Sequence, residues 1–148
     1  SLSIEELERN CHAHINKRYL EVEAIKNATE ILDYLSNQGS KHLIYTHKGR
    51  STHDILKNLD MDKYFEEGLT IEDGFKRKPD PEAINYFIDK YSINKEYAYY
   101  VGDRHLDIDS ANNAEIKSIF FKPEDSYVEP TGRENHVVTD LIQIKDLF

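Results

Sequence analysis

The stretch YAYYVGDRHLDIDSANNAEIKSIFF, residues 97–121, decides the fold. Tyr97 to Val101 is an apolar and aromatic run, too short for a helix and rich in strand formers. It predicts a strand buried on both faces. Gly102 breaks the run, and Asp103 and Asp107 follow with three residues between them. Ser110, Ala111 and Ala114 are small enough to let a helix lie close to a sheet, and Ile116, Ile119, Phe120 and Phe121 restore a strand pattern. In an open α/β sheet, ligands bind just beyond the carboxyl ends of the strands. Two carboxylates placed there suit a hard divalent cation, because Mg²⁺ takes oxygen ligands and keeps several waters. The same aspartates would equally serve as helix caps that accept backbone N–H bonds. This stretch alone does not choose between the two.

Upstream, KHLIYT at 41–46 reads as another buried strand, with Thr46 at its carboxyl end and HKGRST after it. A threonine there either ends the strand and begins a turn or, in the same sheet as 97–101, faces the Asp103 turn. In the second case its hydroxyl and the next backbone N–H groups are donors for a phosphate oxygen. His47 and Lys48 orient to solvent, with His47 within reach of a ligand. Ser51 or Thr52 caps a short helix carrying Ile55, Leu56 and Leu59. Met61, Tyr64 and Phe65 form a hydrophobic turn, and residues 68–71 a short strand.

GFKRKPDPEAINYF comes next. Pro79 and Pro81 force a stiff, extended approach to a helix that buries Ala83, Ile84, Phe87, Ile88 and Tyr91. A lone lysine is ordinarily solvated; Lys78 is instead fixed by its flanking prolines just before that helix. Toward the amino end, helical spacing predicts a helix over 3–20, opened by Ser3 and Glu6 as a capping box, and a second over 23–38 that stops at Gly39. His12 and His14 lie on different faces of the first and make a poor ligand pair. After Phe121 comes a polar loop, 122–135, either mobile or a flap, then a strand at 136–138 and a closing helix at 141–147. Strands alternating with helices predict a parallel sheet covered on both faces.

Composition sets the outer bounds. The 148 residues suffice for one domain with a core, and 39% hydrophobic with 32% charged residues is the balance of a soluble protein. No apolar run approaches the ~20 residues that span a bilayer, so no membrane partner is expected. The opening SLSIEELERN lacks the apolar centre of a secretory signal, and the single Cys11 has no internal disulfide partner. Both point to a reducing cytoplasm. A net charge of −9 repels nucleic acid, and KRK at 76–78 is too small a patch to reverse that. A small phosphorylated ligand remains compatible, since one lysine and a metal overcome a distant acidic surface.

Three features thus line up in order: Thr46 at a strand end, Lys78 before a helix, and Asp103 with Asp107 in a strand-to-helix turn. Here the chain resembles the haloacid dehalogenase-like hydrolases, near the small phosphoglycolate phosphatases. LIYTHKG looks like the second motif of that family, KRKPDPE like the third and YYVGDRHLDIDSANNA like the fourth. The resemblance implies a three-layer α/β/α Rossmann-like core over residues 22–148, with 1–21 a remnant of the family's helical cap and linker. It also implies that Thr46 binds the transferring phosphate, aided by His47, and that Lys78 neutralises its charge. Asp103 would ligate Mg²⁺, and Asp107 would support the metal directly or through water. The implied substrate is a small phosphomonoester, and the implied intermediate an aspartyl-phosphate.

The family's first motif, Asp-x-Asp after an apolar strand, has no counterpart before Thr46. That motif brings the nucleophile and the middle strand of the sheet, which the resemblance places between 42–46 and 97–101. The expectation is therefore the carboxyl-terminal part of a longer phosphatase; the alternative is a non-catalytic domain binding a phosphorylated ligand or a partner. A receiver-like signalling domain shares an acidic pocket and a Thr/Lys pair, but the motif order and the paired prolines oppose it. Each buried, unsatisfied backbone group costs ~1–3 kcal/mol against a total stability of ~5–15 kcal/mol. Hence one of three arrangements is expected: an upstream segment that fills the gap, self-association in which another copy donates a strand, or direct pairing of the two flanking strands.

Overall fold

The structure, a computed structural model, describes residues 26–47, 49 and 51–148. The helix expected over 3–20, its histidines and the cap remnant at 1–21 lie outside the described residues. Helix α1 (Ala28–Asn37) buries Ala28, Ile31, Leu32 and Leu35, the face that the spacing predicts. Gly39, at φ +88°, supplies the left-handed turn that ends it. There follow β1 (His42–Tyr45), α2 (Ser51–Asn58), β2 (Phe65–Leu69), α3 (Glu82–Lys90), β3 (Tyr99–Gly102), α4 (His105–Asn113), β4 (Lys117–Phe121) and β5 (His136–Val138). Among the described residues every strand pair is parallel: β1 with β2, β3 with β4, and β4 with β5.

Side chains alternate between two layers. Ile44, Val101, Ile119, Phe121 and Val138 pack with α1 and the closing segment, whereas Leu43, Tyr45, Tyr100, Ala111 and Ala114 pack with α3. The result is the expected α/β/α sandwich, with three local corrections. Tyr97 belongs to a 3₁₀ turn (Lys95–Tyr97) capped by Asn94 and is 77% exposed, so β3 starts later and runs through Gly102. Strand β2 occupies 65–69 rather than 68–71, because its register sets Phe65 beside His42 and Leu69 beside Tyr45. Thr70 and Asp73 then cap each other and turn the chain into a 3₁₀ segment. The closing helix is also 3₁₀ (Leu141–Leu147); a three-residue repeat stacks Leu141 and Ile144 against the core.

The loop at 122–135 is tied to α4. Arg133 pairs with Asp109 at 2.7 Å, Asn112 donates to the Arg133 carbonyl, and the His105 ring lies 2.7 Å from the Glu129 carbonyl oxygen.

The sheet is divided. Among the described residues β1 and β2 form one ladder, β3, β4 and β5 another, and none joins β1 to β3. Direct pairing of the flanking strands, one of the three expected arrangements, is therefore not what the chain adopts. Between the two halves runs a cleft of about 260 Å³. Its walls include Leu35, Val101 and Ile119 from one side-chain layer and Leu43, Ile84 and Tyr100 from the other. A continuous sheet keeps such layers apart with its own backbone. Residues of both layers lining one cleft mean that the slot passes through the sheet, where one more strand would lie.

His42 begins β1 at 3% exposure, with a hydrogen bond to the Leu32 backbone. Burial pushes its imidazole down from 6.5 to about 4. The neutral ring is thus favoured in the fold, so this stability is whole above pH 6.5 and is lost as the pH falls toward 4. Urea titrations should give a stability about 2 kcal/mol lower at pH 5 than at pH 7, and His42→Gln should flatten that difference.

Candidate active site

Thr46 follows β1 and is fully buried; its N–H donates to the Leu69 carbonyl at 3.0 Å, which fixes the strand end against β2. Lys78 stands in the segment that leads into α3. Asp80 caps that helix by accepting from the Glu82 N–H at 2.9 Å, and Asn113 of α4 donates to the Pro79 carbonyl at 2.9 Å. The proline segment is thus held at both ends. The Lys78 ammonium lies 2.6 Å from Asp107 Oδ1, with side-chain exposures of 1% and 0%.

Asp103 follows β3 at 1% exposure, and Asp107 sits in the first turn of α4. Asp107 does two jobs: Oδ1 takes the lysine, and Oδ2 accepts the Arg104 N–H at 3.1 Å. Asp107 thus fills the capping role considered for these aspartates and adds an ion pair with Lys78 that the sequence reading did not name. His47 accepts the Lys78 backbone N–H at Nε2, 3.0 Å away.

The three stretches accordingly meet at Lys78. Both sequence neighbours of Thr46 touch it, Tyr45 through its ring at 4.8 Å and His47 through the backbone bond, and Asp107 closes the far side. Two side chains here escaped the sequence reading, Tyr45 and Tyr100. The Tyr100 ring lies 5.5 Å from the ammonium, and its hydroxyl donates to the Tyr45 carbonyl at 3.1 Å. Both sat in aromatic strand runs that read as core; only the pairing of β1 with β2 and of β3 with β4 decides which layer they enter.

Gly102 makes this packing possible. A Cβ there would fall 2.3 Å from Asp107 Cβ and 2.4 Å from Oδ2, a clash with no flexible neighbour to yield. Gly102→Ala should cost about 1–3 kcal/mol, the range for overpacking, and should displace Asp107 from Lys78; a denaturant titration checks the first effect.

Among the described residues no group of three or more His, Cys, Asp or Glu side chains converges. Two carboxylates nonetheless match the protein share of a Mg²⁺ site, since that ion takes one or two and completes its shell with water and phosphate oxygens. Asp103 is buried, and Asp107 is already engaged by Lys78 and the Arg104 N–H, so of the two Asp103 would be the direct ligand.

A family profile described as haloacid dehalogenase-like hydrolase matches residues 2–121. Pyrophosphatase PpaX of Bacillus mycoides (strain KBAB4) is 31% identical over 112 residues, 74% of this chain and 52% of that protein. Its counterpart from Bacillus thuringiensis (strain Al Hakam) is 35% identical over 98 residues, 66% of this chain and 45% of that protein. The chain thus spans about half the length of the curated relatives it matches. Among solved structures, the core domain of a candidate phosphoglycolate phosphatase from Streptococcus pneumoniae TIGR4 superposes with a TM-score of 0.70 at 42% identity, covering 82% of this chain and 84% of that one. A HAD phosphatase from Thermococcus onnurineus superposes at 0.80 with 17% identity, covering 93% and 63%, a likeness of fold alone. With the sandwich, the three motifs and the profile in agreement, the chain belongs to the haloacid dehalogenase-like hydrolases.

Proposed function

We propose that these residues form the phosphate- and metal-holding part of a Mg²⁺-dependent phosphatase acting on a small phosphorylated substrate. The nucleophilic aspartate would come on an apolar strand, outside these residues, that enters the slot between β1 and β3. The observation that supports this most is the convergence of three separated stretches on the buried Lys78–Asp107 pair. An ammonium carries three N–H donors, so the same group can serve a carboxylate and a phosphate together. In this reading Lys78 donates to phosphate oxygens, and the Thr46 hydroxyl donates to another. Asp103 holds Mg²⁺, and Asp107 orients the lysine while supporting the metal through water. The ion, when bound, neutralises charge on the transferring phosphoryl group. The pyrophosphatases among the relatives make inorganic pyrophosphate a candidate beside phosphomonoesters.

A second reading, a non-catalytic domain that binds a phosphorylated ligand, is favoured by the lack of Asp-x-Asp before Thr46. One assay separates the two. An aryl phosphate and pyrophosphate are offered, with and without Mg²⁺, to the 148-residue chain and to a polypeptide that carries an Asp-x-Asp strand ahead of it. The phosphatase reading expects metal-dependent turnover from the second polypeptide only. Silence from both favours the binding domain, and turnover by the shorter chain places the nucleophile within it.

A further inference from the structure

We propose that Tyr45, His47 and Tyr100 are positioning residues that build a cage around Lys78 and brace the two halves of the sheet across the slot. None belongs to the acidic or lysine positions that the motifs supply, and each makes a different kind of contact.

An ammonium whose side chain is 1% exposed has lost its hydration and needs attraction on several sides. Asp107 supplies one side. The Tyr45 and Tyr100 rings, with centroids 4.8 and 5.5 Å from Nζ, present negative π-faces on two more. Those rings contact each other edge-on at 6.4 Å, so they act as one wall. His47 works on the main chain instead: an imidazole nitrogen that accepts the Lys78 N–H fixes where the side chain starts. Tyr100 adds a mechanical part. Its hydroxyl, on β3, donates to the carbonyl of the last residue of β1, with Asp107 Oδ1 at 3.4 Å as an alternative acceptor. It therefore bridges two strands that share no ladder among the described residues. Thr46, next along from Tyr45, is held in register with Lys78 through that bridge.

The three contacts differ chemically, so they predict a pattern that packing alone would not. The Tyr45 contact needs a ring and not a hydroxyl: Tyr45→Phe should keep the lysine held, and Tyr45→Leu should not. His47 needs an acceptor, so His47→Gln should rescue what His47→Phe loses. Tyr100 needs its hydroxyl, so Tyr100→Phe, the mildest change in volume, should fail. The catalytic consequence rests on the phosphatase reading; the cage itself does not.

The experiment follows the Lys78 ammonium resonance of the isotope-labelled chain by NMR, a signal seen only when exchange with water is slow. Inorganic phosphate is titrated alongside in the presence of Mg²⁺, and urea midpoints check that each variant folds. The expected result is a sharp ammonium signal in the parent, Tyr45→Phe and His47→Gln, and its loss in Tyr45→Leu, His47→Phe and Tyr100→Phe. Phosphate affinity should fall about tenfold with each loss, the size of one cation–π contact or one hydrogen bond. A Tyr100→Phe chain with the parent's signal and affinity overturns the proposal, as do variants ranked by side-chain volume alone. If the parent binds no phosphate while the ammonium pattern holds, the cage stands and the functional reading fails.

Discussion

Replacing Asp107 by alanine will destabilise the fold by about 3–5 kcal/mol, as expected for a buried pair that loses one partner. The cost arises less from the lost attraction than from what stays behind. Lys78, at 6% exposure, would keep its charge among Tyr45, Tyr100 and the β1 end, with no anion where Oδ1 stood 2.6 Å away. The Arg104 N–H loses its acceptor in the same step, and the first turn of α4 loosens with it. Pairing Asp107→Ala with Lys78→Met removes the stranded charge, and the double variant should recover most of the loss. Urea denaturation of the two single variants and the double makes the comparison. Additive losses would mean that the two residues do not act as a buried pair.

Asp103→Asn in the completed enzyme will lower Mg²⁺-dependent turnover by roughly 10²–10³-fold, the scale seen when one electrostatic stabiliser of a transition state is removed. The exchange keeps the side chain's shape but removes its charge and turns one acceptor oxygen into an N–H donor. It separates a metal ligand from a structural carboxylate: a structural role moves stability, a ligand role moves turnover and its Mg²⁺ requirement. Asp103 is 1% exposed, so a urea titration accompanies the assay and turnover is compared where both proteins are folded. Retained turnover would assign the metal elsewhere.

Much of this was legible in the residues, for identifiable reasons. The 97–121 stretch has the period of a buried strand, then a turn, then small residues on a helix, and the chain folds so. Lys78 is marked by two prolines, whose restriction survives any context. The split sheet was also foreseeable, because the strand that the family places in the middle has no equivalent in the sequence, and β1 and β3 leave a slot there. Other features depend on contacts far apart in the chain. Tyr45 and Tyr100 are 55 residues apart and meet only through the geometry of two strands. His47 looked like a surface residue because nothing local reveals that the Lys78 amide comes to it. Strand β2 was misplaced by three residues because FEEGL holds two glutamates, a polar run that reads as a turn yet suits an edge strand.

The central claim is that Thr46, Lys78 and Asp103 surround one site for a phosphate and a metal ion. Its most direct test is an amide NMR titration of the labelled chain, first with Mg²⁺ and then with inorganic phosphate. The account predicts that Mg²⁺ shifts Asp103 and Arg104, and that phosphate then shifts Thr46, His47 and Lys78. Shifts confined to other surfaces, or none from either addition, would contradict it.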